Sequence, residues 1–147
     1  MQKHVCFVKM KSDAKVPNKG SAKAAGYDLC AYLEQSEIVI EPHSTQKIGT
    51  GLMIAPPDGY CGMIFARSGI ATKQGLRPAN CVGVCDEDYT GEYMIALHND
   101  TDYAQIVKHG DRIAQLVFLP YLDVKYIEVD ALEATDRGCN GFGSTGK

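Results

Sequence analysis

Short runs of Val, Ile and Tyr, broken at near-regular intervals by turn residues, predict an all-β fold, either a sandwich or a barrel. The stretches between these runs carry little helical periodicity. The breaks themselves are of the Pro, Gly, Asn and Asp kind that ends strands. A chain of 147 residues, 45% hydrophobic and 22% charged, is expected to form one domain with a sizeable core.

The first strand is predicted at 4–10. Residues 12–26 (SDAKVPNKGSAKAAG) are small and polar and read as a loop. Strands follow at 36–40 and 46–54 with Glu41-Pro42 between them, and the turn Pro56-Pro57-Asp58-Gly59 leads into a strand at 60–66. Residues 68–75 have room for one short helix, weakened by Gly69 and Gly75. Strands at 81–85, 92–98, 104–108, 112–119 and 124–129 complete the pattern, punctuated by Asn99-Asp100 and His109-Gly110-Asp111. Residues 137–146 (RGCNGFGSTG) hold four glycines in ten positions and cannot bury enough apolar area to fold alone. Two readings stay open for them: a frayed terminus, or a segment that orders when its N–H groups, hydroxyls and Arg137 close on an anion.

Fifteen Lys and Arg against eighteen Asp and Glu give a formal charge of −3, without the basic stripe that nucleic-acid binding requires. No membrane association is expected either: the longest apolar run, 116–122, is short and contains Pro120. Lys3, Lys9 and Lys11 interrupt any apolar leader, so an intracellular, cytoplasmic protein is expected, with the nucleus open for a eukaryotic or viral source. The six cysteines form no CxxC pair and read as reduced thiols rather than as disulfides or a metal site.

Several short segments hold candidate chemistry. Arg67-Ser68-Gly69 follows a predicted strand and opens the short helix; an Arg fork, a hydroxyl and free backbone N–H groups suit phosphate oxygens. An ordinary strand-to-helix turn would look the same. Asp86-Glu87-Asp88-Tyr89 lies at a hairpin, where charges are commonly just solvated. Yet Asp86 directly follows the apolar run 81–85, a place from which a carboxylate can activate a water. Gln115 sits inside an apolar strand, where its amide must find partners. Asp28 alone is uninformative.

Together, five segments in one order resemble the motifs of the trimeric all-β dUTPases: AGYDLCA at 25–31, ARSGIA at 66–71, NCVGVCDEDYTGEYMI at 80–95, GDRIAQLVF at 110–118 and RGCNGFGSTG at 137–146. The resemblance runs from about residue 20 to the last residue. It implies a jelly-roll-like β-sandwich or barrel with at most one short helix, assembled as a homotrimer. Residues 1–136 would form the single domain and 137–147 a Gly-rich tail closing over an active site at a subunit interface. The implied reaction is hydrolysis of dUTP to dUMP and pyrophosphate, with Mg²⁺, keeping uracil out of DNA and supplying dUMP for dTMP synthesis.

The resemblance also implies roles. Asp86 would orient and deprotonate the water that attacks the α-phosphorus in line. Asn80 and the hairpin backbone around Gly83, Val84, Cys85 and Asp86 would read uracil, and Tyr89 would lie under the deoxyribose and exclude a 2′-hydroxyl. Arg67, Ser68, Gly69 and Gln115 would hold phosphate oxygens. Phe142 would stack over the base, while Arg137, Gly143, Ser144 and Thr145 close on the phosphates. Asp28 would hold a water on a Mg²⁺ chelated mainly by the triphosphate. Met94 falls where family members differ, and Cys85 beside the base would make activity sensitive to thiol oxidation. Two rivals share the resemblance: a dCTP deaminase, and a regulator that uses the nucleotide as a switch for a partner.

Overall fold

The computed structural model describes residues 3–139 and Gly141. Its strands are β1 (Cys6–Lys9), β2 (Tyr27–Cys30), β3 (Glu37–Ile40), β4 (Thr45–Ala55), β5 (Tyr60–Phe65), β6 (Leu76–Pro78), β7 (Val82–Cys85), β8 (Glu92–Asn99), β9 (Gln105–Lys108) and β10 (Arg112–Pro120). One helix, α1 (Ser68–Gln74), interrupts them. Two four-stranded antiparallel sheets, ordered β1-β4-β8-β6 and β2-β10-β5-β7, and a β3-β9 ribbon make a jelly-roll-like β fold. The fold class read from the sequence is the one observed.

The core follows from strand alternation. On β8, Tyr93, Ile95, Leu97 and Asn99 point inward; Tyr93, Ile95 and Leu97 share one core with Ile48 and Leu52 of β4 and with Leu29, Ile113 and Leu116 of the other sheet. Asn99 is the polar exception and is satisfied throughout. Its Nδ2 donates to the carbonyls of Ile40 at 3.0 Å and Tyr103 at 2.7 Å, and its Oδ1 accepts from Thr101. A buried amide that makes so many bonds locks the end of β8 to the β3 and β9 side.

β4 bends at a bulge, where its register with β8 shifts between Gly49 and Met53. Gly51 takes φ 69° there, and its N–H donates to Glu92 Oε1 at 2.7 Å. α1 ends at Gly75, whose φ of 63° closes the helix with N–H bonds back to Ile70 and Ala71.

Three expectations need correction. Strands β2 and β6 were not predicted: each is only four or three residues long, and β6 ends in Pro78, so neither presents a readable alternation. The strand predicted at 124–129 does not form. The sheets end at Pro120, and Tyr126, Ile127 and Val129 stay exposed, with no neighbouring strand to pair with among the described residues.

Candidate active site

β10 is the organising strand, because it pairs with β2 on one side and β5 on the other. Gln115 thereby lies opposite Asp28 in β2 and Phe65 in β5. Two residues beyond Phe65 comes Arg67, at the threshold of α1. The pairing thus gathers Asp28, Arg67, Ser68, Gly69 and Gln115 around one cavity of about 410 Å³. Ser68 and Gly69 are exposed on its rim.

Gln115, Asp28, Arg67 and Arg112 each have a specific partner here. Gln115 Nε2 donates to the Ala66 carbonyl at 2.9 Å, which meets the need for a bonded amide within an apolar strand. A Cβ on Gly26 would stand 2.6 Å from Gln115 Oε1, so the glycine makes room for that amide. Asp28 is only 12% exposed and is held by two guanidiniums: Arg67 Nε donates to Oδ1 at 2.6 Å and Arg112 Nη1 donates to Oδ2 at 3.2 Å. The cavity is therefore a cationic concavity suited to anionic oxygens. Arg112 was missed as a site residue, although it opens the strand predicted at 112–119 and lies within the motif at 110–118.

A second cavity, of about 310 Å³, lies along the hairpin after β6. Asn80, Gly83, Val84, Cys85, Asp86, Tyr89 and Met94 line it, together with Lys47 and Glu92, to which the sequence reading assigned no role. The turn entering the hairpin is tight. Cys81 takes φ 63°, a left-handed conformation costly for a residue with a Cβ, and Val82 N–H donates to Asn80 O at 2.7 Å. Gly83 lets the backbone run close to Asn80, whose Nδ2 would lie 3.4 Å from any added Cβ. An edge of backbone donors and acceptors beside a side-chain amide can read the hydrogen-bonding face of a planar heterocycle.

Tyr89 is clamped over this cavity. Its hydroxyl donates to the Glu92 carbonyl at 2.9 Å, and its N–H donates to Asp86 O at 3.1 Å. Beneath it Tyr93 is buried, and burial pushes its hydroxyl far above the usual phenol range, so it stays neutral. Cys85 is buried beside it, and burial likewise pushes the thiol up. A buried thiol with little thiolate character reacts slowly, which counts against the oxidation sensitivity expected at this position.

Asp86 is exposed and lines both this cavity and a larger one, of about 640 Å³, on the far side of the hairpin. Since Gly62 pairs with Cys85, Asp86 stands at the Cys61 end of β5. Arg67 lies beyond the opposite end, across a strand span of roughly 13 Å at about 3.3 Å per residue. The two cavities share no lining residue.

Arg137 lies in the exposed segment past the sheets and lines neither cavity. Phe142, Gly143, Ser144 and Thr145 lie outside the described residues. Among the described residues no group of three or more His, Cys, Asp or Glu could hold a metal, and no helix is long and apolar enough to cross a membrane. All six cysteines are free thiols.

Comparison with known proteins fits this arrangement. The deoxyuridine 5'-triphosphate nucleotidohydrolase of Desulfitobacterium hafniense is 48% identical over 143 residues, covering 97% of this chain and 94% of that protein. A variant dUTPase of Staphylococcus bacteriophage 80alpha, solved with dUpNHpp, superimposes with a TM-score of 0.89 at 26% identity, covering 99% of this chain and all of that one. A variant dUTPase from phage phi11 of S. aureus, described as coordinating a structural Mg(II) ion, shares the fold with a TM-score of 0.80 at 22% identity, over 90% of this chain and 100% of that one. The family model described as dUTPase matches residues 12–146, nearly the whole length, and this chain belongs to that family.

Proposed function

We propose that this chain hydrolyses dUTP to dUMP and pyrophosphate, with the hairpin that ends in Asp86 as its base-reading and water-positioning element. The observation that carries the reading is the juxtaposition, on one hairpin, of an Asn80-flanked backbone edge and an exposed carboxylate. A rigid edge reads uracil through hydrogen bonds, a stronger discriminator than an apolar pocket rejecting one methyl group, worth about 1–3 kcal/mol. Asn80 and the backbone of Gly83, Val84, Cys85 and Asp86 supply that edge. Tyr89, held by its bond to Glu92 O, forms the floor under the sugar and leaves no room for a 2′-hydroxyl. Met94 flanks the same cavity.

Asp86 then accepts a hydrogen bond from a water and aims it at the α-phosphorus in line with the departing pyrophosphate. Such a base works chiefly by alignment. Arg67, Ser68, Gly69 and Gln115 grip the phosphate oxygens, because phosphoryl substitution is governed by positioning and charge neutralisation. The tail at 137–147 closes the site, with Phe142 over the base and Arg137, Gly143, Ser144 and Thr145 on the phosphates; closure excludes water and strengthens the electrostatics.

Mg²⁺ fits as an ion carried in by the triphosphate. Both Asp28 oxygens already accept from arginines, so the pole offers no protein cage, yet a carboxylate keeps lone pairs for a water. Asp28 would hold that water, and the ion would supply neutralisation of phosphate charge.

The placement of Asp86 and Arg67 at opposite ends of β5 supports a shared site, with hairpin and phosphate pole drawn from different chains of a homotrimer. The test is product analysis with dUTP, dTTP, dCTP and UTP in parallel, with Mg²⁺. Release of dUMP and pyrophosphate from dUTP alone is expected. Deamination of dCTP would overturn the reading, as would binding of dUTP with no turnover.

A further inference from the structure

Asp28 is nearly buried, and its two oxygens are divided between two arginines of the same chain. Arg67 contributes its Nε, at 2.6 Å, and its Nη1 is turned to the Arg112 carbonyl at 3.4 Å. The phosphate-gripping role proposed for Arg67 asks for the same guanidinium. A fork that recognises an anion in a bidentate manner presents two adjacent N–H groups, and here Nε and Nη1 are both engaged within the protein. For Arg67 to grip phosphate oxygens side-on, through Nε and Nη2, it must release Asp28, and a nearly buried carboxylate left with no cation would be strongly unfavourable.

Arg112 resolves the conflict. It heads β10, where its backbone is fixed by pairing with Cys30 of β2, and it donates to the Asp28 oxygen that Arg67 leaves open. We propose that Arg112 is a positioning residue of the phosphate pole: it keeps Asp28 compensated while Arg67 moves from the carboxylate to the substrate's phosphates. This rests on the dUTPase reading above and adds the exchange of partners by which the pole is freed. Every group involved comes from β2, β10 and the β5–α1 turn of a single chain.

The exchange has a signature that a purely structural role lacks. In Arg112→Gln, Arg67 is the sole cation left to Asp28 and stays with it, so triphosphate binding weakens. Removing the charge that holds Arg67, by Asp28→Asn in the same chain, frees it again. The glutamine leaves intact the Arg112 carbonyl that accepts from Arg67.

The experiment is calorimetric binding of dUpNHpp in EDTA to the full-length assembled protein, so that neither turnover nor a metal on Asp28 enters the readout. Expected are binding about tenfold weaker for Arg112→Gln and recovery to within about threefold of wild type for Arg112→Gln/Asp28→Asn, a coupling of the kind a double-mutant cycle isolates. Arg112→Lys, which keeps a cation beside Asp28, is expected to bind within about threefold of wild type by the same cycle logic. Wild-type affinity in Arg112→Gln overturns the proposal. So does a double variant as weak as Arg112→Gln, which would make Arg112 a direct phosphate ligand or a fold element. If the wild-type chain binds no dUpNHpp, the dUTPase reading itself falls and takes this proposal with it.

Discussion

Asp86 occupies a position that few carboxylates in this chain share: the residue before it is buried in the sheet, and the next backbone bond, from Tyr89 N–H to its own carbonyl, begins a tight turn. Its side chain is thus held by backbone on both sides while remaining open to solvent. Replacing it with Asn keeps the shape and removes the base. Asp86→Asn is expected to lower kcat by roughly 10²–10⁴-fold, the usual worth of a positioned general base, while dUpNHpp binding stays near wild type. Single-turnover kinetics beside calorimetry separates the two effects, and equal loss of binding and turnover would reassign Asp86 to substrate grip. At this scale the sequence was legible where the motif match itself assigned a role, as with Asp86, Asn80 and Gln115. It was silent on Arg112 and Glu92, whose roles depend on which distant carboxylate or backbone amide lies within reach.

Among the elements, the hairpin and the chain leaving β10 are joined by one small cluster. Tyr121 Oη donates to Glu87 Oε2 at 2.6 Å, Gly59 N–H donates to the same oxygen at 2.8 Å, and Tyr121 N–H donates to Gly59 O at 3.2 Å. The Tyr121 hydroxyl first, and the Gly59 amide second, hold the Glu87 carboxyl below the usual carboxylate range. In return the bond to Glu87 pushes the Tyr121 hydroxyl up to about 12. The lowered carboxyl contributes above its ordinary value of 4.5, and that contribution is lost as the pH falls through the depressed one. The raised phenol contributes below its ordinary value of 10.0, and that contribution is lost as the pH rises through about 12. The cluster should therefore persist between roughly pH 5 and pH 10. Glu87→Ala should speed hydrogen exchange of the Gly59 amide severalfold across that window, whereas the wild type should show the same acceleration only in acid. Indistinguishable exchange in the two proteins would mean the contact does not form in solution. None of this could be read from sequence order, because residues 59, 87 and 121 meet only after three strands have paired. The misread strand at 124–129 teaches the converse: its Val, Tyr and Ile content suits a strand, but a ladder needs a neighbour, and the described residues offer none.

For the whole molecule, the two cavities and the segment past β10 pose one problem. Leu122, Tyr126, Ile127 and Leu132 are each more than three-quarters exposed, an apolar surface that a solitary domain rarely leaves uncovered. Asp86 and Arg67 sit at opposite ends of β5, so one chain cannot bring both to the same phosphorus without breaking the sheet. A cyclic assembly answers both points, because a heterologous interface sets different faces of neighbouring chains against each other. The decisive measurement is complementation. Asp86→Asn chains and Arg67→Gln chains, each inactive alone, are unfolded, mixed in equal amounts and refolded together. If each site takes its hairpin from one chain and its phosphate pole from the next, random mixing makes about a quarter of the sites wild type at both positions, and that share of activity returns. If one chain supplies both, every site carries one lesion and the mixture stays as inactive as its components. Intermediate assemblies cannot blur the result, since no ratio of the two chains produces a doubly intact site within a single chain.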